Sequence, residues 1–208
     1  MKFTSQVGQD KWVCEELNYK KDGYFLDIGS HDGVWYSNTY CLEKELNWSG
    51  ICVEAKKETF DLLAANRNCV CVNKAIYSKN GLIKFAATSM DYEGVKACLQ
   101  AQVVSNSSFF VQAITMETLI KENDVPNFID YVSIDVEGAD YDVLLGFPFD
   151  THKVGLWTIE DNAYIDGGRL KEKIKKIMLK NGYTMVSERK QSDRVNSFET
   201  WWTNTEMV

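Results

Sequence analysis

Four acidic residues stand at the ends of apolar, strand-like runs, and their spacing is the strongest chemical signal in the sequence. Asp27 precedes a glycine turn, Glu54 ends the next run, and Asp135 and Asp161 end two later runs. In open α/β sheets the carboxyl ends of neighbouring parallel strands meet at one edge, and ligands bind there. We therefore expect the four carboxylates to surround one crevice.

The glycine turn favours a nucleoside ligand. It reads Asp27-Ile28-Gly29-Ser30-His31-Asp32-Gly33. Its two glycines allow close backbone approaches that a β-carbon blocks, and their Gly-x-x-x-Gly spacing differs from that of dinucleotide binders, which disfavours an NAD oxidoreductase. Glu54 follows the turn by about 20 residues, the spacing at which a carboxylate accepts the ribose hydroxyls of a nucleoside. The acidic Asp27 suits a ligand with a positive sulfonium and a free amino group.

Oxygen-bearing side chains at the two later strand ends fit a divalent cation. Asp135, Asp161 and Asn162 would offer magnesium or manganese three oxygen ligands. The competing interpretation is that these acids cap helices or bind backbone amides. A bound cation lowers the pKa of a substrate hydroxyl, and a base must then take the proton; Glu137 and His31 are the candidates. His31 lies within the glycine turn, where a main-chain or cofactor contact is an equal alternative.

Strand-like and helix-like segments alternate along the chain, which is typical of an open, mostly parallel α/β sheet with helices on both faces. The predicted strands are residues 24–28, 51–54, 69–72, 131–135 and 154–160. Apolar residues at helical spacing predict helices over residues 35–46, 60–63 and 170–178. Two further strands, residues 183–186 and 199–203, are joined without a helical pattern, which predicts an antiparallel pair at the sheet edge.

Length and charge limit the classes of function. The 208 residues predict a single domain over residues 1–208, in which the irregular stretch 88–108 is either a substrate-covering insertion or a surface loop. A net charge of −7 argues against nucleic acid and against anionic membranes as partners. No apolar run is long enough to span a bilayer, and the six cysteines lack Cys-x-x-Cys spacing. We expect a cytoplasmic protein with reduced thiols.

The motifs together resemble the FkbM-type S-adenosylmethionine-dependent methyltransferases over nearly the whole chain. Besides the glycine turn and Glu54, the resemblance rests on Ser5-Gln6-x-x-Gln9-Asp10, Ser37-Asn38-Thr39-Tyr40, Leu42-Glu43, Gly50-Ile51, Asn73-Lys74-Ala75, Ile129-Asp130-Tyr131 and Asp135-Val136-Glu137-Gly138. It implies a seven-stranded, Rossmann-like class I methyltransferase fold. It also implies S-adenosylmethionine as cofactor, held at Asp27, Gly29 and Glu54, with further contacts predicted at Ser30, Gly33, Asn38, Ala55, Ala75 and Asp135.

The resemblance implies O-methylation of a hydroxyl. A sugar acceptor, either a glycan or a deoxyhexose such as rhamnose, fits the acidic crevice best, and the chain is then either a complete protein or one domain of a larger glycan-modifying polypeptide. The alternatives are a polyketide-type or other small hydroxylated acceptor, and a catalytically silent binding module. The residues around Asp135 and Asp161 also look like the magnesium site of catechol-type O-methyltransferases. Trp35, Tyr36 and Tyr164 are candidates for stacking on a sugar ring, whereas Trp201 and Trp202 are expected to pack in the core or at the edge.

Overall fold

A computed structural model of the chain describes residues 1–87, 97–98, 108–136, 138–161, 163, 167–189 and 198–204. Its strands, in chain order, are β1 Tyr24–Ile28, β2 Ser49–Val53, β3 Val70–Val72, β4 Ala75–Ile76, β5 Gly81–Ala87, β6 Ala97–Cys98, β7 Ser108–Ile114, β8 Phe128–Ile134, β9 Lys153–Glu160, β10 Tyr183–Arg189 and β11 Glu199–Asn204. Its helices are α1 Gln9–Glu16, α2 Tyr40–Leu46, α3 Lys57–Asn66, α4 Met116–Glu122, α5 Asp140–Leu145 and α6 Arg169–Lys180.

The main sheet has seven strands in the order β10-β11-β9-β8-β1-β2-β3. The four neighbouring pairs from β9 to β3 are all parallel. Strand β11 runs antiparallel to both β9 and β10, so an antiparallel pair forms one edge of the sheet. The predicted architecture and edge pair are therefore confirmed, with strand ends displaced by a few residues.

Helices cover both faces of this sheet. On one face, Val13 of α1, Leu42 of α2 and Leu63 of α3 pack against Phe25 and Tyr131 of the strands. On the other face, α4, α5 and α6 pack against the large apolar side chains of β1, β8 and β9. Because side chains alternate across a strand, Asp27 and Glu54 share the face that carries α1, α2 and α3.

A second sheet, in the order β4-β7-β5-β6, was not predicted. It includes β6 and the first residue of β7, which fall within the stretch that the sequence left irregular; residues 88–96 and 99–107 of that stretch lie outside the described residues. The turn pair Asn80-Gly81 before the alternating run of β5 was the available signal for a strand entry here.

The helix predicted from residue 35 begins only at Tyr40. Gly33 and Tyr36 have positive φ angles, which interrupts a right-handed helix before Thr39. Trp35 and Tyr36 are consequently exposed and do not cover the sheet. The other two helical patterns are confirmed as α3 and α6, and Trp201 and Trp202 are buried as expected. No helix in the described part of the chain is both long and apolar enough to cross a membrane.

Candidate functional site

The strand ends that carry the acidic residues meet at one edge of the main sheet. Glu54 directly follows β2, Asp135 follows β8, and Asp161 follows β9. With β1 between β2 and β8, these four parallel strands are consecutive neighbours. The amide of Asp135 donates to the carbonyl of Ile28 at 2.9 Å, which fixes the end of β8 beside the glycine turn.

The two turn glycines are required by packing as well as by backbone conformation. Gly29 has a φ of +92° and Gly33 a φ of +78°, both in the left-handed region that favours glycine. A β-carbon on Gly29 would lie 1.8 Å from the carbonyl oxygen of Asp135, and one on Gly33 would lie 2.6 Å from Leu63 and 2.7 Å from Arg67. The space that these glycines leave is thus filled by the protein itself.

Two of the predicted cofactor contacts direct their side chains into the protein. The Ser30 hydroxyl donates to the carbonyl of Asp27 at 2.7 Å and accepts from the amide of Val53 at 3.2 Å, which ties β1 to β2. Ala75 is buried in a small cluster that includes Ala113.

The Glu54 carboxylate is held at the rim of the crevice by main-chain donors. Its Oε2 accepts from the amide of His31 at 3.1 Å, and its Oε1 accepts from the amide of Lys56 at 2.8 Å. Burial raises the pKa of Glu54, and the hydrogen bond from Lys56 and the nearby His31 oppose that shift. His31 therefore belongs to the same end of the crevice as Glu54, with its ring exposed and 3.7 Å from Asp32.

A groove of about 610 Å³ opens beside Glu54. Ala55, Lys56 and Asn73 line one side of it, and residues 109–112 of β7 line the other. The Asn73 amide donates to the carbonyls of Glu54 and Ala55 at 2.9 and 3.2 Å, which fixes the chain where it leaves β2. The groove has the dimensions of a small-molecule site.

Asn38 presents an acceptor that no described residue satisfies. Its amide nitrogen donates to the hydroxyl of Ser133 at 2.9 Å, while its Oδ1 is buried and has no hydrogen-bond partner among the described residues. Ser133 is held in turn by Thr158, whose hydroxyl is 2.6 Å from that of Tyr131. Buried polar atoms without a partner are rare in proteins, and this one fits a ligand donor such as an ammonium group.

Asp27 is a buried carboxylate rather than a surface acid. Its Oδ2 accepts from the hydroxyl of Thr39 at 2.5 Å, and that hydroxyl accepts from Arg67 at 3.0 Å. Burial raises the pKa of Asp27, and the charge of Arg67 and the bond from Thr39 oppose the increase. Arg67 follows α3, and the sequence analysis missed it because no motif marks it.

The edge near Asp135 carries further buried acids that the sequence analysis did not identify. Glu199, at the start of β11, accepts from Gln9 of α1 at 2.8 Å. Burial, then the charge of Asp135, raise the pKa of Glu199 to about 8, and Asp161 adds to the effect. Burial and Asp135 likewise raise the pKa of Asp140 to about 8. The negative charge of Asp135 thus acts on both Glu199 and Asp140 at this edge of the sheet.

The comparisons with known proteins agree with this geometry. A sequence model described as the methyltransferase FkbM domain matches residues 27–185. The chain belongs to the FkbM methyltransferase family. A comparison with curated proteins found no match.

Solved structures show the fold of S-adenosylmethionine-dependent methyltransferases for this FkbM-family chain. An O-methyltransferase from Bacillus cereus in complex with SAH is 13% identical, with a TM-score of 0.56, over 95% of this chain and 81% of that chain. A protein from Klebsiella pneumoniae, provisionally assigned as an O-methyltransferase, is 13% identical with a TM-score of 0.55, over 99% and 84% of the two chains. A provisionally assigned rRNA methylase from Clostridium thermocellum is 7% identical with a TM-score of 0.55, over 97% and 96%.

The described residues of this FkbM-family chain do not bring the three predicted metal ligands together. Asn162 lies outside the described residues, as does the predicted base Glu137. One carboxylate oxygen of Asp161 accepts from the amide of Ala163 at 3.0 Å. Across the described ranges, no group of three or more His, Cys, Asp or Glu side chains could hold a metal ion.

An aromatic pair flanks the glycine turn. The rings of Trp35 and Tyr36 are 4.9 Å apart, and both side chains are about half exposed. The amide of Trp35 donates to the carboxylate of Asp32 at 2.8 Å, which holds the pair beside the turn. The third predicted sugar-stacking residue, Tyr164, lies outside the described residues.

Proposed function

We propose that the chain transfers the methyl group of S-adenosylmethionine to a hydroxyl of a carbohydrate acceptor. The observation that carries this proposal is the pairing of two ligand acceptors at one sheet edge: the Glu54 carboxylate, oriented by main-chain amides, and the buried Oδ1 of Asn38, which has no partner among the described residues. A nucleoside with an amino-acid group supplies hydroxyl donors for the first and an ammonium donor for the second.

The residues present fit the cofactor. Glu54 would accept the ribose hydroxyls, Asn38 would accept from the ammonium group, and the groove beside Ala55 would take the adenine. When bound, S-adenosylmethionine supplies an electrophilic methyl group on a positive sulfonium. Asp27, which is buried, and Asp135, which is exposed at the end of β8, would stabilise that charge, and Asp27 would act more strongly because water is excluded around it.

We assign removal of the proton from the acceptor hydroxyl to a carboxylate at the carboxyl ends of the parallel strands. A sugar hydroxyl is a very weak acid, so its proton must leave as the methyl group arrives. Asp135, which follows the parallel strand β8 at this edge, is the described carboxylate that we assign to this role. Glu199 lies near it, but burial and the charge of Asp135 raise the pKa of Glu199 to about 8, which makes it a poor base at neutral pH. The sequence-based candidates Glu137 and His31 stay predictions, and the contacts of His31 place it beside Glu54.

The carbohydrate acceptor is supported by side-chain chemistry. The exposed rings of Trp35 and Tyr36 offer an apolar face for a sugar ring, and carboxylates near the crevice accept sugar hydroxyls. Assistance by magnesium or manganese at Asp135, Asp161 and Asn162, and a cytoplasmic location, stay predictions from the sequence.

The deciding experiment is a transfer assay with methyl-labelled S-adenosylmethionine. The purified chain is incubated with a panel of rhamnose-containing and other glycans, with polyketide-type phenols and alcohols, and with no acceptor, each with and without EDTA. Label in glycans supports the proposal, and label only in the metabolites makes the second acceptor class correct. Cofactor binding without transfer to any acceptor points to the silent module. Loss of transfer in EDTA, restored by magnesium, supports the metal hypothesis.

A further inference from the structure

Arg67 connects three parts of the loop between β1 and α2. Its side chain is fully buried. One terminal nitrogen donates to the carbonyl of Gly33 and the hydroxyl of Ser37, both at 3.2 Å, and the other donates to the hydroxyl of Thr39 at 3.0 Å. Its Nε donates to Glu43 of α2 at 2.6 Å. A single guanidinium thus ties the end of α3 to both sides of position 38.

The loop that Arg67 holds is strained. His31 has a φ of +50° and Tyr36 a φ of +54°, in the left-handed region that residues with a β-carbon rarely adopt. Such conformations persist only where surrounding contacts enforce them, and they concentrate at functional sites. The bonds from Arg67 to Gly33, Ser37 and Thr39 supply that enforcement from the α3 side.

Asn38 lies between the two anchored hydroxyl residues. Arg67 fixes the chain at Ser37 and Thr39, and Ser133 fixes the Asn38 amide nitrogen from the sheet. The remaining polar atom of the side chain, Oδ1, is therefore held in one orientation with no partner among the described residues. A preorganised acceptor binds a donor more tightly than a mobile one, because its ordering cost has already been met.

We infer that Arg67 is the positioning residue for the amino-acid end of the cofactor, acting through the loop that carries Asn38. The inference rests on the proposed function, since it takes the Asn38 acceptor to face the cofactor ammonium group. Arg67 itself makes no contact with the cofactor in this assignment. Lysine cannot replace it, because only the planar guanidinium reaches Glu43, Ser37 and Thr39 at the same time.

The ion pair between Arg67 and Glu43 persists at neutral pH. Burial alone would raise the pKa of Glu43, but hydrogen bonds from Lys44 and from the amide of Asn68, together with Arg67, lower it to about 2. The Glu43 carboxylate therefore stays charged and keeps Arg67 in place. Gly33 completes the fit, because a β-carbon there would meet the stem of Arg67.

The test compares two ligands that differ only in the amino-acid group. S-adenosylhomocysteine carries the ammonium group, and 5′-methylthioadenosine keeps the adenosine and the sulfur but lacks it. Both are titrated calorimetrically into the wild type, Arg67→Lys and Thr39→Val. In both variants we expect at least a tenfold loss of affinity for S-adenosylhomocysteine and less than a threefold loss for 5′-methylthioadenosine. Asn38→Ala should show the same selectivity.

Matched variants separate positioning from general stability. Thr39→Val keeps the shape of the side chain and the Arg67–Glu43 pair, and it is the second variant if Arg67→Lys does not fold. It removes the hydrogen bonds to both Arg67 and Asp27, whereas Arg67→Lys leaves the Thr39–Asp27 bond in place and so assigns a loss to Arg67. Thr39→Ser keeps the hydroxyl and should bind like the wild type. Lys20→Met removes the ion pair with Asp130 at the other end of the sheet and should change neither affinity. Equal losses for both ligands, or no loss, would overturn the inference. A wild type that binds neither ligand overturns the proposed function, and the inference with it.

Discussion

The carbonyl oxygen of Asp135 lies so close to Gly29 that a β-carbon at position 29 would be 1.8 Å from it. This contact joins the turn after β1 to the end of β8, and it brings the predicted cofactor turn and the acidic edge within one crevice. The obstructing atom belongs to the main chain, so a side-chain rotation cannot relieve the overlap.

Gly29→Ala should therefore destabilise the fold severely. Left-handed strain and overpacking together cost about 2–5 kcal/mol. Gly182→Ala is the matched control, because Gly182 has a φ of +83° but no atom within 4 Å of a β-carbon, so only the strain of about 1–2 kcal/mol applies. Urea denaturation of both variants measures the difference, and similar free energies of unfolding would contradict the packing described for Gly29.

The sequence predicted the acidic strand ends because each follows an apolar run directly. Because the carboxyl ends of neighbouring parallel strands share one edge, the sequence placed Glu54, Asp135 and Asp161 at that edge, and the positions of β2, β8 and β9 agree with this, although the order of the strands was not predicted. Arg67 and Glu199 could not be predicted, because their roles depend on partners more than twenty residues away in sequence, such as Thr39 and Gln9. Trp35 was assigned to a helix because its apolar spacing fits one, and the strained turn before Thr39 overrides that spacing.

Asp135→Asn should lower turnover more than cofactor binding. The substitution keeps the shape of the side chain but removes a negative charge at the acidic edge, and loss of a general base lowers rates by about 10²–10⁴-fold. We expect kcat to fall by at least about 100-fold while the affinity for S-adenosylhomocysteine changes by less than about tenfold. Asp150→Asn, at an exposed position, serves as the control. An unchanged kcat would remove Asp135 from the chemistry.

The free energy of unfolding should decrease as the pH rises, because of Glu199. Burial and Asp135 raise its pKa from 4.5 to about 8, so the folded state binds this proton more tightly than the unfolded state. The stabilisation is complete below pH 4.5 and is lost as the pH rises towards 8, with a slope of up to about 1.4 kcal/mol per pH unit.

Glu199→Gln has no titrating group at position 199. Its free energy of unfolding should therefore rise relative to that of the wild type as the pH rises from 5.5 to about 8. Urea denaturation at several pH values measures this difference. Glu117→Gln, at an exposed position of α4, should follow the wild-type slope. Parallel curves for the wild type and Glu199→Gln would show that this carboxyl group does not hold its proton in the folded state.

The central claim is that Glu54 binds the ribose of the cofactor at the carboxyl edge of the main sheet. It is tested most directly by calorimetric titration of S-adenosylmethionine into the wild type, Glu54→Gln and Glu117→Gln. Glu117 is an exposed carboxylate in the first turn of α4 that does not line the groove, so its substitution makes the same change in net charge away from the site. We predict binding of one cofactor per chain, weakened about 10- to 100-fold by Glu54→Gln, the equivalent of hydrogen bonds to a charged group, and unchanged by Glu117→Gln. Equal affinities for all three proteins, or no binding to the wild type, would contradict the account.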